Sequence, residues 1–380
     1  MNIRRFFEEA HIVELDAEIS MELAMSPRLA VFRADASFEI GTGHVMRCLA
    51  LSARMRDEGF DAIFICRELH GDLCRMIHEN GFRVHRLREP RRANGSIRPD
   101  VDADMRATRA FLRRLRSTPE WLIVDHYQLD VSWEQGLRPA VKKMMVIDDV
   151  PARKHACDIL IDQNCYDEMR ERYKSLVPSR CRMLLGPDFA LLRPEFVAAR
   201  EHARTRDGKV KRVMVFMGGS DPTKQTLKVL DAFRLLNWGE LSFDILIGIN
   251  NPHRSEIESM ASVLPGSICH FNASNVSTLM AGADLYVGSP GIATWERCCV
   301  GLPSLIMTTH EAQVETAAYL HSRKISLYMG ESLMLTAERI AASIRSAISN
   351  PEMLSEFSKR SLAMVDGHGV ERSFHEMQQG

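Results

Sequence analysis

The chain has 380 residues, enough for two domains of ordinary size, each with its own core. With 45% hydrophobic and 26% charged residues it is not a disordered polymer. The 49 Lys+Arg against 50 Asp+Glu leave a net charge of −1, which argues against general nucleic-acid binding. No apolar run reaches the roughly 18 residues of a bilayer span. Glu8, Glu9, Glu14 and Asp16 interrupt what would be a signal peptide's apolar core, so a cytoplasmic protein without membrane insertion is expected.

Residues 1–28 form an acidic N-terminal extension in which Phe6, Phe7, Ile12, Leu15 and Ile19 would line one side of a short helix. From residue 29 short β-rich runs alternate with helical stretches. Strands are predicted at 29–33, 62–66, 83–87, 121–124, 143–147 and 159–161, with helices at 44–58, 72–80, 102–116 and 131–141 between them. The stretch 86–98, rich in Arg, Gly and Pro, reads as a solvated loop, and Arg106, Arg109, Arg113 and Arg116 as an exposed helix face. A charged linker follows at 201–212. A second series then places strands at 213–216, 243–247, 267–271, 285–287, 304–307 and 325–328. Its helices fall at 222–236, 253–263, 276–281, 292–300, 312–322 and 337–349, and 351–380 closes the chain as a helical segment. Strands separated by helices imply right-handed βαβ units. The fold class is therefore α/β, two Rossmann-like doubly wound domains (29–205 and 206–350) facing a central cleft, with ligand at the carboxyl ends of both sheets. The nine cysteines form no CxxC pair and no zinc-type spacing, and read as structural thiols.

Three strand-to-helix junctions carry the chemistry. In the first, a strand ends at Arg33, Asp35 follows, Gly41 and Gly43 permit an abrupt turn, and a helix starts near His44. The positive end of a helix dipole favours an anion and disfavours a protonated imidazole, which suits a general base; the same position equally suits a histidine that caps the helix. A dinucleotide fingerprint fails here, because Met46 stands where glycine or alanine is required, so no NAD is expected. In the second, Gly218, Gly219 and Ser220 precede Asp221 and Pro222, an N-cap and first helical position. The glycines would admit a diphosphate or simply make a tight turn, and no GK[ST] follows to form a Walker A loop. In the third, Ser289, Gly291 and Thr294 lead to Glu296, a carboxylate suited to a ribose diol; Trp295 reads as packing. Two such turns in one half fit a nucleoside diphosphate better than either alone. Asp125-His126-Tyr127 and Asp148-Asp149 close strands facing the same cleft; the second pair is as readily a loop cap.

Taken in order, these runs resemble the UDP-sugar hydrolases of pseudaminic acid biosynthesis. The resemblance is carried by R-A-D-A-S-x5-G-H-V-M-R-C-L (33–49), D-H-Y (125–127), I-D-D (147–149), D-Q-N (162–164), L-L-G-P-x-F-A-L-L-R-P-E-F (184–196), M-G-G-S-D-P (217–222) and T-W-E-R-C-C-x-G-L-P-S (294–304). It implies a GT-B-type fold, related to nucleotide-sugar glycosyltransferases, and hydrolysis of UDP-2,4-diacetamido-2,4,6-trideoxy-β-L-altropyranose to UDP and free sugar. It implies His44 as base with Tyr127 near the sugar, and Gly218, Gly219, Ser289, Gly291, Thr294, Glu296 and Gln313 around the diphosphate, ribose or sugar; Arg33, Asp35, Gly41, Gly43, Asp125 and Ser220, at the strand ends and turns facing the same cleft, are expected to bind substrate with them. No metal or cofactor is implied. One departure stands out: Ala312 occupies the position before Gln313 where the family commonly has asparagine. A UDP-sugar glycosyltransferase and a non-catalytic nucleotide-sugar-binding homologue are the alternative readings.

Overall fold

The computed structural model describes residues 28–88, 100–204, 206–236 and 241–379. The N-terminal extension, apart from Arg28, and most of the Arg-rich stretch lie outside them. The first sheet holds β1 (Arg28–Ala34), β2 (Phe60–Arg67), β3 (Arg83–Leu87), β4 (Trp121–Asp125), β5 (Lys143–Ile147), β6 (Ile159–Asp162) and β7 (Arg182–Leu185). Their order is β3-β2-β1-β4-β5-β6-β7, and every pairing is parallel. The second holds β8 (Arg212–Phe216), β9 (Ser242–Ile247), β10 (Ser267–Phe271), β11 (Leu285–Gly288), β12 (Ser304–Thr308) and β13 (Ser326–Glu331), ordered β10-β9-β8-β11-β12-β13 and again all parallel.

Runs such as Leu122-Ile123-Val124 and Val213-Met214-Val215 are apolar on both faces because helices cover both sides of each sheet. In the first domain Phe32, Phe64 and Trp121 pack on one face, and Val31, Ile65 and Trp133 on the other. In each sheet the strand order reverses beside its first strand: β1 lies between β2 and β4, and β8 between β9 and β11. Connections there leave in opposite directions and open a crevice at the strand ends. The three glycine-bearing junctions sit at these two crevices.

All twelve predicted strands are present. β7 and the helices Met169–Tyr173 and Pro194–Glu201 were not anticipated; each is short and lacks a clear apolar period. The helix expected from residue 222 starts instead at Gln225. Asp221 (φ 41°) and Lys224 (φ 59°) take left-handed backbone, and the Asp221 carboxylate caps from further back, accepting from the amides of Gln225 and Thr226, both at 2.8 Å. The charged linker is no loose tether. Buried Arg206 donates to the carbonyls of Met280, Ala281, Ala283 and Val300, and burial lowers its guanidinium to about 10. The closing segment divides between the domains. Helix Pro351–Met364 packs on the second through Leu354, whereas Gly369–Gln379 returns to the first, Phe374 lying edge-on to Phe60 at 6.1 Å. Among the described residues no helix is long and apolar enough to cross a membrane.

Candidate functional site

A cleft of about 1350 Å³ lies between the carboxyl ends of the two sheets. Its lips touch across the domains. A Cβ on Gly219 would come within 2.8 Å of Thr42 Oγ1, and one on Gly43 within 3.0 Å of Ile292 Cδ1. Asn250 Nδ2 also donates to the Gly71 carbonyl at 2.7 Å. Glycine at 219 is thus required by the close approach of the opposite domain.

The first-domain wall is built on helix Gly43–Asp57 and the ends of β4 and β5. His44 Nδ1 lies 2.5 Å from Asp125 Oδ1. Arg47, one turn along the same helix face, donates to both Asp125 oxygens at 2.6 and 2.7 Å and to Asp149 at 3.0 and 3.2 Å. Burial alone would raise the Asp125 carboxyl; Arg47 and His44 outweigh it and hold the group below the ordinary carboxylate range. An ionised Asp125 accepts the Nδ1 proton and so leaves the Nε2 lone pair of His44 free. Tyr127 stands over this pair, its ring edge-on to His44 at 4.6 Å and 44% exposed to the cleft.

Arg33 and Asp35 do not line the cleft. Both are buried beneath it, where Arg33 bridges Asp35 (2.5 and 2.9 Å) and Asp104 (2.7 and 3.3 Å). Arg67 and the Trp133 indole also donate to Asp104, and His126 Nε2 lies 3.1 Å from Asp35. Burial would raise the Asp35 carboxyl, but Arg33 and His126 hold it well below its usual value. With every charge paired, this network supports the loop of residues 35–43. Asp148 is likewise structural: buried, it faces Arg153 and His155. Its neighbour Asp149 keeps an edge on a small recess beside Tyr127.

The second-domain wall carries Gly218, Gly219, Ser220, Ser289, Gly291, Glu296 and Gln313, all lining the cleft; Gly41, Gly43 and Tyr127 line it from the first domain. His44, Asp125 and Thr294 lie just behind the lining. The Thr294 hydroxyl caps its own helix, accepting from the Gly291 amide at 3.3 Å. The Ser289 amide is bonded to the Phe216 carbonyl at 3.2 Å, which fixes the turn that precedes the helix. At the start of helix Ile292–Cys299 the Thr294 amide donates to the Gly291 carbonyl at 2.9 Å, while Ile292 and Ala293, whose amides precede the first intrahelical bond, line the cleft. Glu296 accepts from Arg193 Nη2 at 3.1 Å; burial raises its carboxyl and Arg193 opposes that. Gln313 braces the rim, accepting from the Thr309 amide at 2.9 Å and donating to the Pro290 carbonyl at 3.2 Å. Sequence reasoning missed Arg47, Asp104 and Arg193. The i, i+3 spacing of His44 and Arg47 was the one available signal.

Two parallel doubly wound domains with a shared cleft at their strand ends define a GT-B-type fold. Acinetobacter baumannii MurG superposes with a TM-score of 0.64 at 12% identity, covering 93% of this chain and 100% of that one. Arabidopsis thaliana UGT89C1 complexed with UDP gives 0.63 at 14%, again covering 93% and 100%. At the level of sequence the chain is similar to the UDP-2,4-diacetamido-2,4,6-trideoxy-β-L-altropyranose hydrolase of Campylobacter jejuni, 28% identical over 66% of this chain and 80% of that protein. It is also similar to the spore coat polysaccharide biosynthesis protein SpsG of Bacillus subtilis, 22% identical over 89% and 94%. An uncharacterized protein of Methanocaldococcus jannaschii is 24% identical over 74% of this chain, which spans 56% of that longer protein. No family model matches.

Proposed function

We propose that the chain is a UDP-sugar hydrolase that releases UDP and a free diacetamido-trideoxyhexose by inverting attack of water at the anomeric carbon, with His44 as base. The observation that carries this reading is the His44–Asp125 pair at 2.5 Å, set at the switch point of the first sheet opposite the glycine turns of the second. Asp125, held ionised by Arg47, fixes the tautomer in which Nε2 accepts a proton. Tyr127 packs edge-on against the imidazole at 4.6 Å, with its hydroxyl 3.5 Å from Asp149, and flanks the place where water would meet the base. Departing UDP meets the main chain at Gly218–Ser220, the Ser289 hydroxyl and the amides at Ile292 and Ala293, which take up negative charge without a dedicated acid. Glu296 is the ribose ligand. A single displacement needs one base and room for water, whereas a covalent route needs two suitably spaced carboxyls. The similarity to the Campylobacter hydrolase supports the substrate class.

The test is incubation with UDP-sugar in ¹⁸O-water without acceptor. Repeated turnover with label at C1 and an inverted anomer is expected. Label in the UDP phosphate would refute attack at carbon, and turnover only with an added sugar or lipid acceptor would make the chain a transferase.

A further inference from the structure

The cleft must neutralise an anionic ligand, yet its described lining is poor in cations. Carboxylates are supplied by Glu39, Glu195, Asp221, Glu296 and Glu311, and guanidinium groups by Arg153 and Arg193 alone; no lysine is present there. Arg153 is committed elsewhere: it donates to Asp148 at 2.5 Å and to the carbonyls of His126 and Leu129 at 3.1 and 3.4 Å. Arg193 is held differently. It stands at the start of helix Pro194–Glu201, on the segment that crosses between the domains, and its two ion-pair partners, Glu195 at 2.8 Å and Glu296 at 3.1 Å, themselves line the cleft. Its Nε is buried and finds no acceptor among the described residues. A buried N–H without an acceptor is costly, and of the atoms in that condition this one belongs to a residue that lines the cleft, where a phosphate oxygen could satisfy it.

Position supports the same reading. Glu296 lies four and three residues beyond Ile292 and Ala293, so its backbone is roughly 4.5–6 Å along the helix from their amides. A guanidinium tied to Glu296 is therefore within a side chain's reach of the helix start, and its planar fork suits phosphate oxygens.

We propose that Arg193 is the cation of the nucleotide site, latched by Glu296 in the free chain and transferred to the diphosphate when ligand enters, which releases Glu296 to the ribose. The inference rests on the nucleotide-sugar reading above and adds to it an exchange of partners. Without ligand, Glu296 and Arg193 neutralise each other inside the cleft. With ligand, Arg193 gains the phosphate and keeps Glu195, while Glu296 takes the sugar hydroxyls, so neither charge is left buried and unpaired.

Calorimetric titration of wild type, R193Q, R193K and E296Q with UDP, UMP and uridine tests this. R193Q is expected to weaken UDP by about 10- to 100-fold, the worth of a charged hydrogen bond, UMP by less, and uridine hardly at all. R193K should fall between. Equal losses for UDP and uridine in a folded variant would make Arg193 a structural brace and overturn the exchange, as would unchanged UDP affinity in R193Q. Parallel titration with ADP, GDP, CDP and dTDP separates the two readings. If wild type prefers another diphosphate and R193Q loses it selectively, Arg193 keeps its role and the uridine assignment fails. A wild type that binds no diphosphate overturns both.

Discussion

Asp125→Asn isolates the element on which the proposed chemistry depends. The side chain keeps its volume but loses its charge at a fully buried position where it accepts from His44 at 2.5 Å and from Arg47 at 2.6 and 2.7 Å. An asparagine amide turned toward His44 donates to Nδ1, moves the imidazole proton to Nε2, and removes the base from the cleft. The expected loss in turnover is about 10²–10⁴, equivalent to about 3–5 kcal/mol of barrier. UDP affinity should be nearly unchanged, since the Asp125 carboxylate touches His44, Arg47 and Cys48 and none of the residues proposed to hold the nucleotide. Stability should fall by about 3 kcal/mol, the lower end for breaking a buried pair, because Asp149 still faces Arg47. Single-turnover UDP release, UDP calorimetry and a denaturant melt read these three quantities separately. A folded variant that hydrolyses UDP-sugar at the wild-type rate would refute the role of Asp125 in setting the tautomer and with it His44 as base.

Gly219→Val places a side chain where even a Cβ lies 2.8 Å from Thr42 Oγ1, so the domains must part; a UDP Kd raised at least about tenfold with little change in melting temperature is expected, by calorimetry and scanning fluorimetry. Glu296→Ala should abolish most discrimination between UDP and its dideoxyribose analogue, and an unchanged preference for the intact ribose in competition binding would remove Glu296 from the site. The buried His155 supplies a pH dependence. Burial opposes its charge, but Asp148 and Glu134, at 3.2 and 2.6 Å, outweigh that and push it up to about 9. A raised folded value contributes stability that is complete below about 6.5 and lost as pH rises through about 9, on the order of 3 kcal/mol in all. Urea melts of wild type should weaken across that window, and those of His155→Gln should not.

The alternation of apolar strands and amphipathic helices was legible along the chain because strand and helix periods are local properties, and a parallel sheet buried on both faces leaves continuous apolar runs such as 122–124 and 213–215. The glycine junctions at 41–43, 218–219 and 291 were legible for a related reason: abrupt strand-to-helix turns need residues without a Cβ. Which polar residues would face the ligand was not legible. Arg33 and Asp35 stand next to the first turn in sequence, yet a partner 71 residues from Arg33, Asp104, draws them under the floor. Arg47 and Asp149, which sequence patterning weighs lightly, meet at the His44 wall because β4 and β5 end side by side there. Arg193 reaches the cleft only through the crossing segment, whose path depends on how the two domains pack. Partner choice among buried charges is settled by long-range geometry, since a charge removed from water must find its opposite wherever the fold brings one within about 3 Å, however distant in sequence.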